Sequence, residues 1–421
     1  MDDDRRVVVT GIGVVSACGL DEAELWENMM AGRTGIGPLR AFDASGYKVK
    51  IGAEVDSEGL LARVKALGRR PVDRAHDLAL VASAQALEQS GLVVGPPPHE
   101  EQDVAVIFGT GVGSAESHFN AFSAFSSKGV RGLRPTTVPR CMYNAISAGV
   151  SIRFNLTGAN FVVVSACTAG TNAIGASFRQ VRDGHADIVL CGGADAFFDP
   201  FFFGVWNNLG VLSKIPDPPA ACKPFDSDRA GLVLGEGAGA LVLETLGSAT
   251  RRGARIRGEV AGYGESSDAT HITSPSVEGQ AKAIRRALES AGISPHDVGF
   301  INAHGTATAS NDVCESKSIR AVFGEAASSV PVASNKSFFG HTLGASGAIE
   351  TIVTLLGLEA GRVPPNLNLD NRDPECDLRL VGSEPLDIAS PVAMKNSFGF
   401  GGSNAVLILK RYVEEGGRHD A

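Results

Sequence analysis

Phe161-Val162-Val163-Val164-Ser165-Ala166-Cys167-Thr168-Ala169-Gly170-Thr171-Asn172-Ala173-Ile174-Gly175 joins an apolar run to a run of small residues. It reads as a buried strand, a sharp turn and a helix that begins at a thiol. That placement aims the sulfur at the positive end of a helix, where a thiolate is favoured. Cys167 is therefore a candidate nucleophile. The competing reading is a buried small hydrophobe, which is how Cys191, inside Val189-Leu190-Cys191-Gly192, is read.

The same alternation runs along the chain. Strand-like runs fall at 6–10, with a turn at 11–13, and at 104–108, 188–191 and 239–244; helical patterns fall at 21–30, capped by Asp21, and at 73–90. A polar stretch at 248–253 is a candidate boundary, dividing the chain into halves over 1–250 and 251–421. The second half repeats the order, with strand-like runs at 256–260, 298–303, 330–334, 378–380 and 405–409 and helical ones at 278–291 and 345–358. Strands alternating with helices predict an α/β layered fold, and runs such as 161–164 and 188–190 fit sheets covered on both faces.

Composition bounds the function. The 421 residues are enough for two cores, and 43% apolar with 20% charged residues is a globular balance. The formal net charge of −9 argues against nucleic acid as the main partner. Seven scattered cysteines without a CxxC pair argue against a disulfide framework or a zinc site and for a reducing compartment. No apolar signal core and no run of about 18 apolar residues is visible, so a cytoplasmic protein without membrane association is expected.

Three further segments carry chemistry. His304 lies in Asn302-Ala303-His304-Gly305-Thr306-Ala307-Thr308, and His341 in Lys336-Ser337-Phe338-Phe339-Gly340-His341. Each follows a buried strand and sits beside glycine, and strand ends in open α/β sheets are where ligands collect. Asn396-Ser397-Phe398-Gly399-Phe400-Gly401-Gly402-Ser403-Asn404 reads either as a glycine-rich hairpin or as a mobile loop whose amides face an oxyanion, with an aromatic gate.

Taken together, the Ala-Cys pair, His-Gly-Thr-x-Thr, Lys-Ser-x-x-Gly-His and Gly-Phe-Gly-Gly resemble the motifs of the β-ketoacyl-acyl carrier protein synthases, over nearly the whole length and including 226–237. The resemblance implies a thiolase-like five-layer α-β-α-β-α sandwich of two similarly folded halves, dimeric through strand pairing beside the nucleophile. It implies decarboxylative condensation of a Cys167-bound acyl chain with a malonyl thioester. The amides of Cys167 and Phe400 would form the oxyanion hole, His304 and His341 would supply donors to the enolate, and Lys336 would organise that pair. Thr306 and Thr308 match the hydroxyls that bind the phosphopantetheine arm of an acyl carrier protein. No metal and no cofactor are implied. Glu315 and Glu350 match acidic family positions, and each reads equally well as a surface carboxylate.

The departures concern the substrate. Thr168 and Asn172 stand where many fatty-acid members have alanine or serine and histidine. Ala196-Phe197-Phe198-Asp199-Pro200-Phe201-Phe202-Phe203-Gly204-Val205-Trp206 is unusually aromatic, with Trp206 in place of a smaller pocket phenylalanine. It reads either as a packed subunit interface or as a narrowed tunnel for short, rigid or unsaturated chains, as in a polyketide or polyene pathway rather than housekeeping fatty-acid elongation. Arg63, Lys65, Arg69, Arg70 and Arg74, or Lys128, Arg131 and Arg134, are candidate docking patches for an acidic carrier protein. A degradative thiolase would need a second cysteine near the C-terminus, and a chain-length-factor subunit would lack Cys167. Either a homodimer or a heterodimer with a chain-length-factor-like paralogue fits the sequence.

Overall fold

The computed structural model describes residues 5–95 and 102–413. Eleven strands form one hydrogen-bonded series. From edge to edge they are Arg379–Leu380, Pro331–Ala333, Phe300–Asn302, Val392–Gly399, Ser403–Lys410, Gly258–Ser267, Val7–Ser16, Gly237–Thr245, Ile188–Asp195, Ala105–Gly109 and Asn160–Val163. Strands before residue 250 occupy one side of the series and later strands the other. The two sides repeat one pattern. Asn160–Val163, Ala105–Gly109 and Ile188–Asp195 are parallel, followed by antiparallel Gly237–Thr245 and Val7–Ser16. Pro331–Ala333, Phe300–Asn302 and Val392–Gly399 are likewise parallel, followed by antiparallel Ser403–Lys410 and Gly258–Ser267. Within the series the sides join through the pairs Val8↔Glu259 and Val9↔Gly258.

Three apolar cores separate the layers. The central one packs the helices Ala169–Arg182 and Ser346–Ala360 between the two sheets, through Ile174, Phe178, Ile349, Ile352 and Leu355. An outer core buries the helix Arg74–Ser90 against the first sheet, and another buries Val277–Ala291 and Ala309–Phe323 against the second. The result is the five-layer α-β-α-β-α sandwich. Side chains of successive strand residues point to opposite faces, so a strand covered on both sides feeds two cores. Ile107 enters the central core while Val106 and Phe108 enter the outer one; Leu407 and Leu409 face inward while Val406 and Ile408 face outward.

The structure corrects two local expectations. The run 161–164 is not covered on both faces, because Asn160–Val163 is the edge strand and its first two residues are exposed. The glycines at 11 and 13 do not make a turn, because the strand runs unbroken and fully buried over Val7–Ser16. A Cβ at either position would meet the Ala86 or Ala82 carbonyl of the helix Arg74–Ser90, so glycine serves close helix–sheet packing. Of the two readings of 396–404 the structure takes the glycine-rich hairpin: Val392–Gly399 and Ser403–Lys410 are paired strands, and Phe400–Gly402 turns between them. One described helix, Leu343–Ala360, has the length and apolarity to cross a membrane, and 89% of that span is buried within the fold.

Candidate active site

The chain leaves the strand Asn160–Val163, turns through Ala166 at φ 52°, and enters the helix Ala169–Arg182. A left-handed conformation costs an L-residue about 1–2 kcal/mol and persists where surrounding contacts over-determine it. Those contacts are present. Ser165 Oγ donates to Asn172 Oδ1 at 2.8 Å, Thr168 Oγ1 donates to the Ser165 carbonyl at 2.8 Å, and Thr168 Oγ1 lies 2.8 Å from Ser403 Oγ. Ala307, between Thr306 and Thr308, and Leu343, two residues after His341, also have positive φ, at 62° and 46°. Backbone strain thus concentrates beside all three candidate chemical residues.

Gly399 lies against this turn; a Cβ there would fall 3.3 Å from the Cys167 amide nitrogen. With no side chain in the way, the Phe400 amide reaches the thiol, and both it and the Cys167 amide hydrogen-bond toward the sulfur. Gly401 and Gly402, at φ 82° and 74°, reverse the chain immediately afterwards. The resting group is nevertheless not the thiolate that the helix position favours. Burial pushes the Cys167 thiol up to about 11, against smaller lowering effects of the Lys336 charge and the Phe400 amide. Desolvation outweighs the helix end.

His304 and His341 stand edge to face, with ring centres 5.3 Å apart at 83°. The amides of His304 and Gly305 each donate to Glu315 at 2.8 Å, and Asn396 Nδ2 donates to the same carboxylate at 3.0 Å. Lys336 Nζ lies 3.4 Å from His304 Nδ1 and donates to Glu350 Oε1 at 2.5 Å. An ammonium has only donors, so Nδ1 must be the acceptor and the His304 proton sits on Nε2. Ser346 Oγ, 3.0 Å from His341 Nδ1, accepts the Thr342 amide and has its own proton, which it can donate to Nδ1 to place the His341 proton on Nε2 as well. Burial and then the Lys336 charge hold both imidazoles well below the usual histidine range, so both are neutral at pH 7. Asp195 fixes the His341 turn from the other sheet, accepting the Gly344 amide at 2.6 Å and the Gly111 amide at 2.7 Å.

A cavity of about 360 Å³ collects Cys167, His304, His341, Thr306, Thr308, Trp206 and Phe400. Lys336 is the one candidate outside it, fully buried beneath His304. Thr306 Oγ1 and Thr308 Oγ1 are 2.8 Å apart at its wall. The aromatic run divides. Phe197, Phe198 and Phe203 are buried in the same apolar cluster as Cys167, whereas Phe201 and Val205 are 58% and 53% exposed. Trp206, on the helix Pro200–Leu209, stacks on Phe400 with centres 6.1 Å apart at 14°.

A chain with this topology and these motifs can be placed among known proteins. Residues 4–249 match the family model described as beta-ketoacyl synthase, N-terminal domain, and residues 257–370 match the C-terminal domain model. The chain belongs to the β-ketoacyl synthase family. It is 40% identical to the 3-oxoacyl-[acyl-carrier-protein] synthase 2 of Synechocystis sp., covering 97% of this chain and 98% of that one. Among solved structures, the ishigamide ketosynthase/chain length factor superposes with TM-score 0.89 at 35% identity, covering 97% of this chain and all of that one. A type II PKS acyl-carrier protein in complex with its ketosynthase bound to the hexaketide superposes with TM-score 0.89 at 30% identity and the same coverage.

Of three buried charged residues beside the site, the sequence left two open, as acidic family positions or as surface carboxylates, and missed the third. Glu315 and Glu350 are not surface carboxylates; both are fully buried. Lys395, also fully buried, lies in the strand Val392–Gly399 with its Nζ 3.0 Å from Glu350 Oε2. Its signal was a lysine inside a strand that has no solvent face. The first basic patch also shrinks. Arg74 is held by Glu236 and the Val55 carbonyl, and Arg63 pairs with Asp21 at 3.0 Å, leaving Lys65, Arg69 and Arg70. Arg74, Lys128, Arg131 and Arg134 border one cleft of about 880 Å³.

Proposed function

We propose that this synthase carries an acyl chain on Cys167 and extends it by decarboxylative condensation with a malonyl thioester. The observation that carries the reading is the convergence of one thiol, two neutral imidazoles and the Phe400 amide on one cavity.

In the first half-reaction the Cys167 sulfur attacks the acyl thioester. The amides of Cys167 and Phe400 hold the tetrahedral oxyanion, and the thiol's proton leaves with the carrier thiol. In the second, a malonyl thioester loses carbon dioxide, and the electron pair of the broken bond becomes an enolate. The Nε2–H groups of His304 and His341 hold its oxygen. The enolate carbon then attacks the Cys167 thioester, the carbon–sulfur bond breaks, and the thiolate takes a proton from solvent. Neutral imidazoles suit this role because they donate without giving the proton up. Lys336 fixes the His304 tautomer, and burial together with the Lys336 charge keeps that ring neutral. Thr306 and Thr308 hold the phosphopantetheine arm.

The substrates are carried on an acyl carrier protein, which docks on Lys65, Arg69 and Arg70 or on Lys128, Arg131 and Arg134. The edge strand Asn160–Val163, with Phe161 37% and Val164 51% exposed, pairs with a second subunit, either a copy of this chain or a chain-length-factor-like paralogue. The functional halves are 1–250 and 251–421, and the compartment is cytoplasmic. The Trp206–Phe400 stack favours rigid unsaturated chains and a polyketide or polyene pathway over housekeeping elongation. The testing experiment supplies acyl and malonyl carrier proteins and measures the product by intact mass. The proposal requires a 3-oxoacyl chain longer by two carbons, absent with Cys167→Ala. Condensation retained in that variant refutes it.

A further inference from the structure

Lys336 and Lys395 share one partner. Both side chains are wholly shielded from solvent, and the Glu350 carboxylate lies between them, with Oε1 2.5 Å from Lys336 Nζ and Oε2 3.0 Å from Lys395 Nζ. Burying an ammonium costs several kcal/mol unless it is paired. Two ammonium groups thus share one carboxylate, because the other buried carboxylate near Lys395, Glu315, is engaged by the His304 and Gly305 amides and by Asn396.

The position of Lys395 accounts for the sharing. Its strand, Val392–Gly399, leads into the Phe400 turn and carries Phe398, whose ring lies 6.0 Å from that of His304. Its ammonium donates to Ser397 Oγ, and to Thr171 Oγ1 at 3.3 Å, in the first turn of the helix that follows Cys167. Thr171 Oγ1 and Ser397 Oγ are themselves 2.8 Å apart. Lys395 thus touches the nucleophile's helix, the oxyanion strand and the carboxylate that directs Lys336 to His304.

We propose that Lys395 is a positioning residue for the enolate-forming half of the reaction, holding Glu350 so that the Lys336 ammonium stays on His304 Nδ1. The inference rests on the condensation reading above. Without the second ammonium, both oxygens of Glu350 turn to Lys336 and draw it from His304, which loses its fixed tautomer. The charged groups around Lys395 are Glu350, Lys336 and Glu315, with His304 and His341 beyond them; Thr171 and Ser397 are neutral. Burial draws Lys395 down to about 8, against the raising effect of Glu350. The charged, positioning form is therefore lost as pH rises through about 8.

The test compares wild type, Lys395→Met and Lys395→Arg in two assays: Cys167 acylation by acyl carrier protein, and carbon dioxide release from malonyl carrier protein. In wild type, decarboxylation should fall as pH rises through about 8. In Lys395→Met it should be about tenfold slower at pH 7, the scale of coupling through one intermediary, with that alkaline limb gone and acylation unchanged. Lys395→Arg should restore the rate at pH 7 and move the limb to higher pH. Met leaves a balanced Lys336–Glu350 pair, so the variant should fold. The wild-type profile and the Arg variant decide the matter even if it does not. A limb that persists in Lys395→Met, or equal losses in both assays, overturns the proposal. A wild type that releases no carbon dioxide from malonyl carrier protein refutes the condensation reading instead.

Discussion

Trp206→Ala gives the sharpest statement about substrate choice. Trp206 lines the same cavity of about 360 Å³ as Cys167, stacked at 14° on the Phe400 ring. On the proposed reading, removing the indole opens the wall against which the distal acyl chain would end. Room for two further methylenes, at about 0.8 kcal/mol each, gives about 1.6 kcal/mol, or about a 15-fold change in relative kcat/KM. The chain two carbons longer than the wild-type optimum should gain by that factor over the optimum itself. Loss of the aromatic face should also cost a conjugated chain about 0.5–1.5 kcal/mol relative to a saturated chain of equal length, a factor of about 2 to 13. The assay is competition between two acyl carrier substrates at limiting enzyme, with products resolved by intact mass, so that their ratio reads relative kcat/KM directly. An unchanged length ratio in a folded Trp206→Ala protein would refute the pocket role and return the aromatic run to subunit packing.

Gly399→Ala should place a methyl group 3.3 Å from the Cys167 amide nitrogen, displace the Phe400 amide and slow Cys167 acylation about 10²- to 10³-fold, read by rapid-quench intact mass. Wild-type decarboxylation should show no acid limb near the usual histidine range, because His304 and His341 are already neutral there; Lys336→Met removes a charge that disfavours their protonation, so an acid limb should move up into the measured range of the pH–rate profile. Charge reversal at Arg69 and Arg70 should raise the apparent KM for carrier-bound substrate, most at low salt, and leave a free pantetheine thioester unaffected. Unchanged carrier kinetics would transfer the docking role to Lys128, Arg131 and Arg134.

What could be read in the sequence was local. The strand, turn and helix around Cys167 depend on residues within about one turn of each other, and the histidine turns follow strands marked by short apolar runs. What could not be read depends on contacts between distant segments. Gly11 and Gly13 resemble a turn until the helix Arg74–Ser90 lies across them. The choice between family position and surface carboxylate for Glu315 and Glu350, and the burial of Lys395, are decided when two sheets close over them. The thiol shows the same division. The helix end beside Cys167 is visible in sequence and favours ionisation, but the burial that opposes it more strongly belongs to the assembled fold.

The central claim is that Cys167 takes the acyl group and the imidazole pair makes the enolate, as separable steps. One experiment measures both in Cys167→Ala: the mass of the protein after incubation with acyl carrier protein, and carbon dioxide release from malonyl carrier protein. The account predicts no acyl adduct in the variant, one adduct per chain on Cys167 in wild type, and decarboxylation retained in the variant. An acyl adduct on the alanine protein, or loss of decarboxylation in a folded one, would contradict it.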